Sequence, residues 1–189
     1  MSSYSWSQLP KLGKYERCWA LTHPFAALKV KRITKECKIY SDQISIKSEL
    51  DGFSNGGKLD AYRHSLYMAA CAQKIKVRKL RRLGIAHEKT NYRQFLKSEK
   101  EEGELADSLS SVMDLFNNEL GFKIGFQNKK IFLEHISELV IDEIKKGNAL
   151  IMKRNRSGAY LDCEGNLIDL KKYNRTWNIP KCLVSSKNN

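Results

Sequence analysis

From Tyr15 onward, apolar residues recur at helical spacing through most of the chain, and the polar interruptions between the periodic stretches mark out the elements. Tyr15 to Leu21 reads as a short helix. Thr22-His23-Pro24 then supplies a stop and a fresh start, because proline suits the first turn of a helix. From Phe25 the stripe continues through Leu28, Val30, Ile33, Cys37 and Tyr40, with lysine and arginine between them. Asp51 to Gly57 has loop composition, and Lys58 opens a helix rich in small residues, among them Ala61, Ala69, Ala70 and Ala72. Small residues permit close helix packing or leave room for a ligand. The basic run Lys74 to Arg82 leads into a helix whose stripe is Val77, Leu80, Leu83 and Ala86 or His87.

Ser98 to Gly103 is charged and loop-like, and a helix resumes about Glu104 with Leu105, Leu109, Val112, Met113, Phe116 and Leu120 as its apolar stripe. Gly121 and Gly125 are expected to end it. Lys129 to Lys146 is the cleanest helix, with Ile131, Leu133, Ile136, Leu139, Val140, Ile141 and Ile144, lysines at its C-terminal end and Gly147 as its cap. Beyond it the period changes. Ala149 to Met152, Gly158 to Cys163 and Asn166 to Leu170 are strand-like, with Glu164-Gly165-Asn166 as a turn between the last two. Trp177, Pro180 and Val184 are expected in a tail extended on the surface, and residues 185–189 are expected to be loose.

The fold class that follows is mainly α: a helical bundle of about five to six helices with a small C-terminal β-hairpin appendage. Residues 1–146 form the helical body that carries the site, and 147–189 the hairpin and tail, packed on the same domain. A chain of 189 residues is long enough for one core and short for two.

Charge narrows the partners. Thirty-four Lys and Arg against twenty-one Asp and Glu give +13, a field that attracts an anionic substrate or polymer, nucleic acid included. The five cysteines, Cys18, Cys37, Cys71, Cys163 and Cys182, are odd in number and show no CxxC pair, so they read as reduced thiols. No stretch approaches the roughly 18 apolar residues of a transmembrane segment, and the start of the chain has no basic-then-apolar signal pattern. The expected location is cytoplasmic, or exported without a cleaved signal peptide.

Three clusters carry candidate chemistry. Asp60, Arg63 and His64 share a helix face beside the glycine-rich loop, where carboxylate and imidazole can both ligate a metal or work as an acid–base pair. His87-Glu88 sits near an inward face, with Glu88 placed as a general base or ligand. The second histidine that would make a zinc-protease helix is absent, which excludes that motif. Asp107, Ser111, Asp114, Asn117 and Asn118 form a polar stripe on a helix whose other face is apolar. Two asparagines in mid-helix suggest an inward network, since asparagine is a mediocre helix former. Cys71, seven residues after His64, offers a Cys–His nucleophile in principle. His23 reads as structural and His135 as part of a solvated face.

Asp60-Ala61-Tyr62-Arg63-His64, Ala86-His87-Glu88 and Met113-Asp114-Leu115-Phe116-Asn117-Asn118-Glu119-Leu120-Gly121 together resemble the ordered signature of an uncharacterised family of bacterial helical domains. That family carries Asp-Ala-x-Arg-His, His-Glu and Met-Asp-x-x-Asn-Asn-x-x-Gly blocks in succession. The resemblance spans roughly Ser54 to Gly125, with Ser65 and Tyr67 as departures, and implies shared architecture and a shared site rather than a reaction.

If the three polar faces converge in a bundle interior, Asp60, His64, His87 and Asp114 are the metal ligands of a divalent site. Asn117, Asn118 and Asp107 would lie behind them. His64, His87, Glu88 and Arg63 are the candidate catalytic groups, and Arg63 with Lys58 would bind substrate. The expected function is a hydrolase, metal-assisted, acting on a phosphoester or other anionic substrate. One alternative is a non-enzymatic binding module in which Lys74 to Arg82 and the region of Lys153, Arg154 and Arg156 grip nucleic acid or an anionic surface. No helix-turn-helix, zinc-finger or RNA-binding sheet signature accompanies those lysines and arginines. The other alternative is an antibacterial or phage-associated effector.

Overall fold

The computed structural model describes residues 12–43, 49–97 and 106–187. The polar leader, the charged loop expected at 98–103, the expected helix start at 104–105 and the last two asparagines lie outside them. Six helices have both ends described: α1 (Lys14–Thr22), α2 (Pro24–Ser41), α3 (Lys58–Ala72), α4 (Val77–Leu96), α5 (Ser108–Gln127) and α6 (Leu133–Lys146). Strands β1 (Leu150–Met152) and β2 (Leu183–Ser185) follow, with a 3-10 turn at Leu170–Tyr173 between them. The chain is thus mainly helical with a small antiparallel β piece near its C-terminal end, as the periodicity predicts.

Helix α3 is the centre. Ten of its fifteen residues are buried, so its short alanines face neighbours on almost every side. It packs against α2, α5 and α6, while α1 lies across α4. α6 puts Ile136, Val140, Ile141 and Ile144 into the core, and Gly147 ends it at φ 91°, a left-handed conformation that glycine adopts without a Cβ clash.

Gly121 and Gly125 do not end α5, which runs on to Gln127. They are contact points. A Cβ built on Gly121 would lie 2.3 Å from the Ser65 carbonyl oxygen, and one on Gly125 would lie 2.0 Å from that of Ala69. Only glycine lets the backbones of α3 and α5 meet there. Because Ser65 faces Gly121 and Ala69 faces Gly125, the two helices run side by side in the same direction.

The β region differs from expectation in its partner. The turn is where the sequence puts it: the Gly165 N–H donates to the Asp162 carbonyl, and Leu161 bridges Leu167. Yet β1 pairs with the tail, Ile151 opposite Val184 in an antiparallel register. The tail is therefore built in rather than loose. Lys181 is buried and donates at 2.7 Å to Asp107, whose side chain is only 1% exposed. Ser186, also buried, donates to the Ile144 carbonyl. Cys163 and Cys182 form a disulfide that closes this segment on itself, which overturns the reading of all five cysteines as reduced thiols. Cys37 and Cys71 are buried free thiols, and Cys18 is an exposed one.

Two outcomes follow. Gly125→Ala should lower unfolding stability in urea by about 1–3 kcal/mol through overpacking, and an unchanged midpoint would mean the helices separate freely. Alkylation of the denatured, unreduced protein should label three cysteines, and all five only after reduction.

Candidate metal centre

The first turn of α3 begins at Gly57, which has no side chain to cap it. Asp51 does this from across the loop, accepting from the N–H groups of Phe53 (3.0 Å), Lys58 (2.6 Å) and Leu59 (3.2 Å). A carboxylate on those donors satisfies orphan N–H groups and complements the positive end of the helix. No local pattern flags Asp51, because its partners lie up to eight residues downstream.

Asp60 is fixed in turn. Its Oδ2 accepts from the Gly56 N–H at 2.7 Å, which leaves Oδ1 towards Arg63 and His64. Gly56 sits at φ 71°, and its carbonyl accepts from the Met152 N–H at 2.8 Å, so β1 holds the loop that holds Asp60. Arg154 locks the other side. Its guanidinium stacks on Tyr160 and Phe53 and donates to the carbonyls of Asn55 and Gly158. Those bonds commit Arg154 inward, away from the phosphate-gripping role open to it in the sequence.

α5 brings Asp114 to the same place. The Nε2 of His64 lies 3.6 Å from Asp60 Oδ1 and 3.4 Å from Asp114 Oδ1. Ligand atoms of all three residues fall within 4.8 Å of one another. Asp60 is 4% and Asp114 7% exposed, while the side chains of His64 and Arg63 keep 18% and 25% exposure. Arg63 Nη2 stands 3.4 Å from Asp60 Oδ1. Two buried carboxylates this close repel and are poorly solvated, so the site calls for positive charge beyond its ordinary share. Arg63, a protonated His64 or a bound cation would supply it.

The other candidates separate by role. His87 does not join the cluster; its Nδ1 is hydrogen-bonded to Glu16 Oε1 at 2.8 Å, tying α4 to α1. Burial would raise the Glu16 pKa, but the hydrogen bond and charge of His87, helped by the Gly13 N–H, outweigh it and hold the carboxyl below its usual range. Glu88 is buried on α4, accepting from Asn91, and lines a cleft next to α5. Asp107 is not behind the ligands: it caps α5 through the N–H groups of Leu109 and Ser110 and pairs with Lys181. Asn117 clamps β1, donating to the Leu150 carbonyl at 2.9 Å and accepting from the Leu150 N–H at 3.0 Å. Asn118 is buried where α5 passes Gly84 of α4. Lys58 opens α3, two residues before Asp60. Cys71 is no poised nucleophile, since burial pushes its thiol pKa well up. His23 stacks on Trp19, and His135 is exposed on α6.

The family described as Domain of unknown function (DUF6973) matches residues 17–148, and the chain belongs to it. The match takes in both helices that carry Asp60, His64 and Asp114. No curated protein and no solved structure matches the chain.

The Glu16–His87 link sets a pH dependence. A carboxyl whose pKa is depressed on folding stabilises the fold above its unfolded pKa, and that contribution is lost as pH falls through the folded value. Melting temperatures of wild type and Glu16→Gln should therefore differ most near neutrality and converge below roughly pH 4. A constant difference down to strong acid would show that the pair is not linked to folding.

Proposed function

We propose that this DUF6973 domain is a metal-assisted hydrolase of phosphoesters or other anionic substrates, working from Asp60, His64 and Asp114. The supporting observation is a pair of distances. At 3.4 and 3.6 Å, the His64 nitrogen is too far from either carboxylate oxygen for a good hydrogen bond. Two ligands bonded at about 2.0–2.2 Å to one ion, at ordinary coordination angles, stand roughly 3.0–3.6 Å apart. The same distances argue against a hydrogen-bonded Asp–His dyad as the working unit.

Three protein ligands leave positions open for water, the pattern of catalytic rather than structural sites. Two carboxylates and one imidazole suit a borderline or hard divalent ion. Such an ion would lower the pKa of bound water and so would supply hydroxide near neutral pH for attack on a phosphoryl centre. Arg63, beside Asp60 and partly exposed, takes the anionic oxygens of the substrate in a forked geometry. A net charge of +13 draws polyanions towards it.

No helix among the described residues is long and apolar enough to cross a membrane. Of the two locations open in the sequence, the Cys163–Cys182 disulfide favours export, because disulfides persist in oxidising compartments.

Elemental analysis of tag-free protein should find stoichiometric divalent metal. His64→Ala and Asp114→Ala should lose both the metal and hydrolysis of bis(p-nitrophenyl) phosphate while keeping their helical circular dichroism. Metal content unchanged in both variants, or hydrolysis unaffected by a chelator, overturns the proposal.

A further inference from the structure

A concave feature lies beside α5, where Ser111 stands one helical turn from Asp114. It is a cleft of about 390 Å³, walled by α1, α4, α5 and the tail, and large enough for a small ligand. Tyr15 comes from α1, Glu88, Lys89 and Tyr92 from α4, Ser111 from α5, and Trp177 from the tail. Tyr15 is 38% and Tyr92 45% exposed, so their rings present area to solvent rather than to the core. The Trp177 ring meets Tyr92 edge-on at 4.9 Å and is backed by Phe95 at 5.0 Å. Its carbonyl accepts from the Ser108 N–H, which anchors the wall to the start of α5.

At the floor the chemistry is polar. Glu88 is 8% exposed, and Ser111 Oγ makes no hydrogen bond among the described residues. Lys89 stands at the rim with its Nζ 6.0 Å from the Tyr15 ring centre. Aromatic walls, a carboxylate floor and a cationic rim, in a chain of charge +13, suit a flat ring that carries N–H donors and hangs from an anionic backbone.

We infer that this cleft is a subsite for a base of single-stranded nucleic acid. Tyr92 and Trp177, held at 72° to each other, give it one stacking face and one edge contact, Tyr15 bounds it from α1, and Glu88 accepts its amino group. Ser111 and Asp114 stand three apart on α5 and so occupy adjacent turns of one face. A strand whose base enters over Ser111 therefore runs its backbone past the metal centre. That last step rests on the hydrolase reading; binding of the base does not. A carboxylate accepts from the N4 amino group of cytosine, whereas thymine has no exocyclic amino group to offer. The cleft should accordingly prefer cytosine to thymine.

The test is fluorescence anisotropy with labelled oligo-dC and oligo-dT, and chitohexaose as an uncharged competitor. Wild type should bind oligo-dC more tightly than oligo-dT. Trp177→Ala and Tyr92→Ala should each weaken binding by about tenfold or more. Trp177→Phe, which keeps a stacking ring, should retain most of the affinity and so separates stacking from misfolding. Glu88→Gln should erase the preference for oligo-dC. Binding in excess chelator should keep the preference for oligo-dC and its dependence on Trp177 and Tyr92, so that loss of the metal reading leaves the subsite standing and the two failures can be told apart. Salt-sensitive binding that ignores Trp177, Tyr92 and Glu88 overturns the inference, as does chitohexaose binding without oligonucleotide binding.

Discussion

The site depends on how closely the backbones of α3 and α5 approach. Any side chain at Gly121 or Gly125 would stand inside the van der Waals envelope of the Ser65 or Ala69 carbonyl. With glycine there, the parallel helices come near enough for Asp114 to reach the pair Asp60 and His64, one turn apart on the facing helix. Ser65 reinforces the contact by donating to the Asn117 carbonyl at 3.0 Å. The approach has an opposing term, because it buries two carboxylates within 4.8 Å of the same imidazole. Close packing by small residues thus holds together charges that would otherwise drive the helices apart.

Around that contact lies a second set of restraints. Asn117 fastens β1 to α5, β1 fastens Gly56, and Gly56 fastens Asp60. On the other side the buried Lys181 is satisfied by Asp107 and sits 3.9 Å over the Tyr160 ring, and Tyr160 in turn carries the Arg154 guanidinium. A buried ammonium is expensive without a partner, so Asp107 and Lys181 stand or fall together. The β piece is small, yet it is the brace that orients Asp60.

The helices were legible because each carries a stripe long enough to read, α6 most plainly, with its four buried aliphatics and its Gly147 cap. Asp60 and His64 were legible together because a separation of four places them on one face, and Asp114 because it shares a stripe with polar neighbours on an otherwise apolar helix. Other assignments depended on partners that no spacing rule connects. His87 turns towards Glu16 because α1 folds across α4, and Asp107 towards Lys181, 74 residues away. Glycines in mid-helix look like stops until a facing backbone is known. The tail strand has only three residues, too few for alternation to announce it, and the disulfide of Cys163 with Cys182 follows from that tail docking where it does.

The link from β1 back to the glycine loop has a consequence for synthesis. Arg154 holds the Asn55 carbonyl across 99 residues of chain, and Met152 holds Gly56 over a similar span. Contacts of such sequence separation form late, since loop closure precedes any gain from them. While the ribosome is still translating the helices, α3 can coil and even meet α5, but the loop that aims Asp60 lacks its brace. A nascent chain therefore contains Asp60, His64 and Asp114 well before it holds them in position, and the cluster matures only when the last quarter of the polypeptide has folded back onto the loop at residues 51–57.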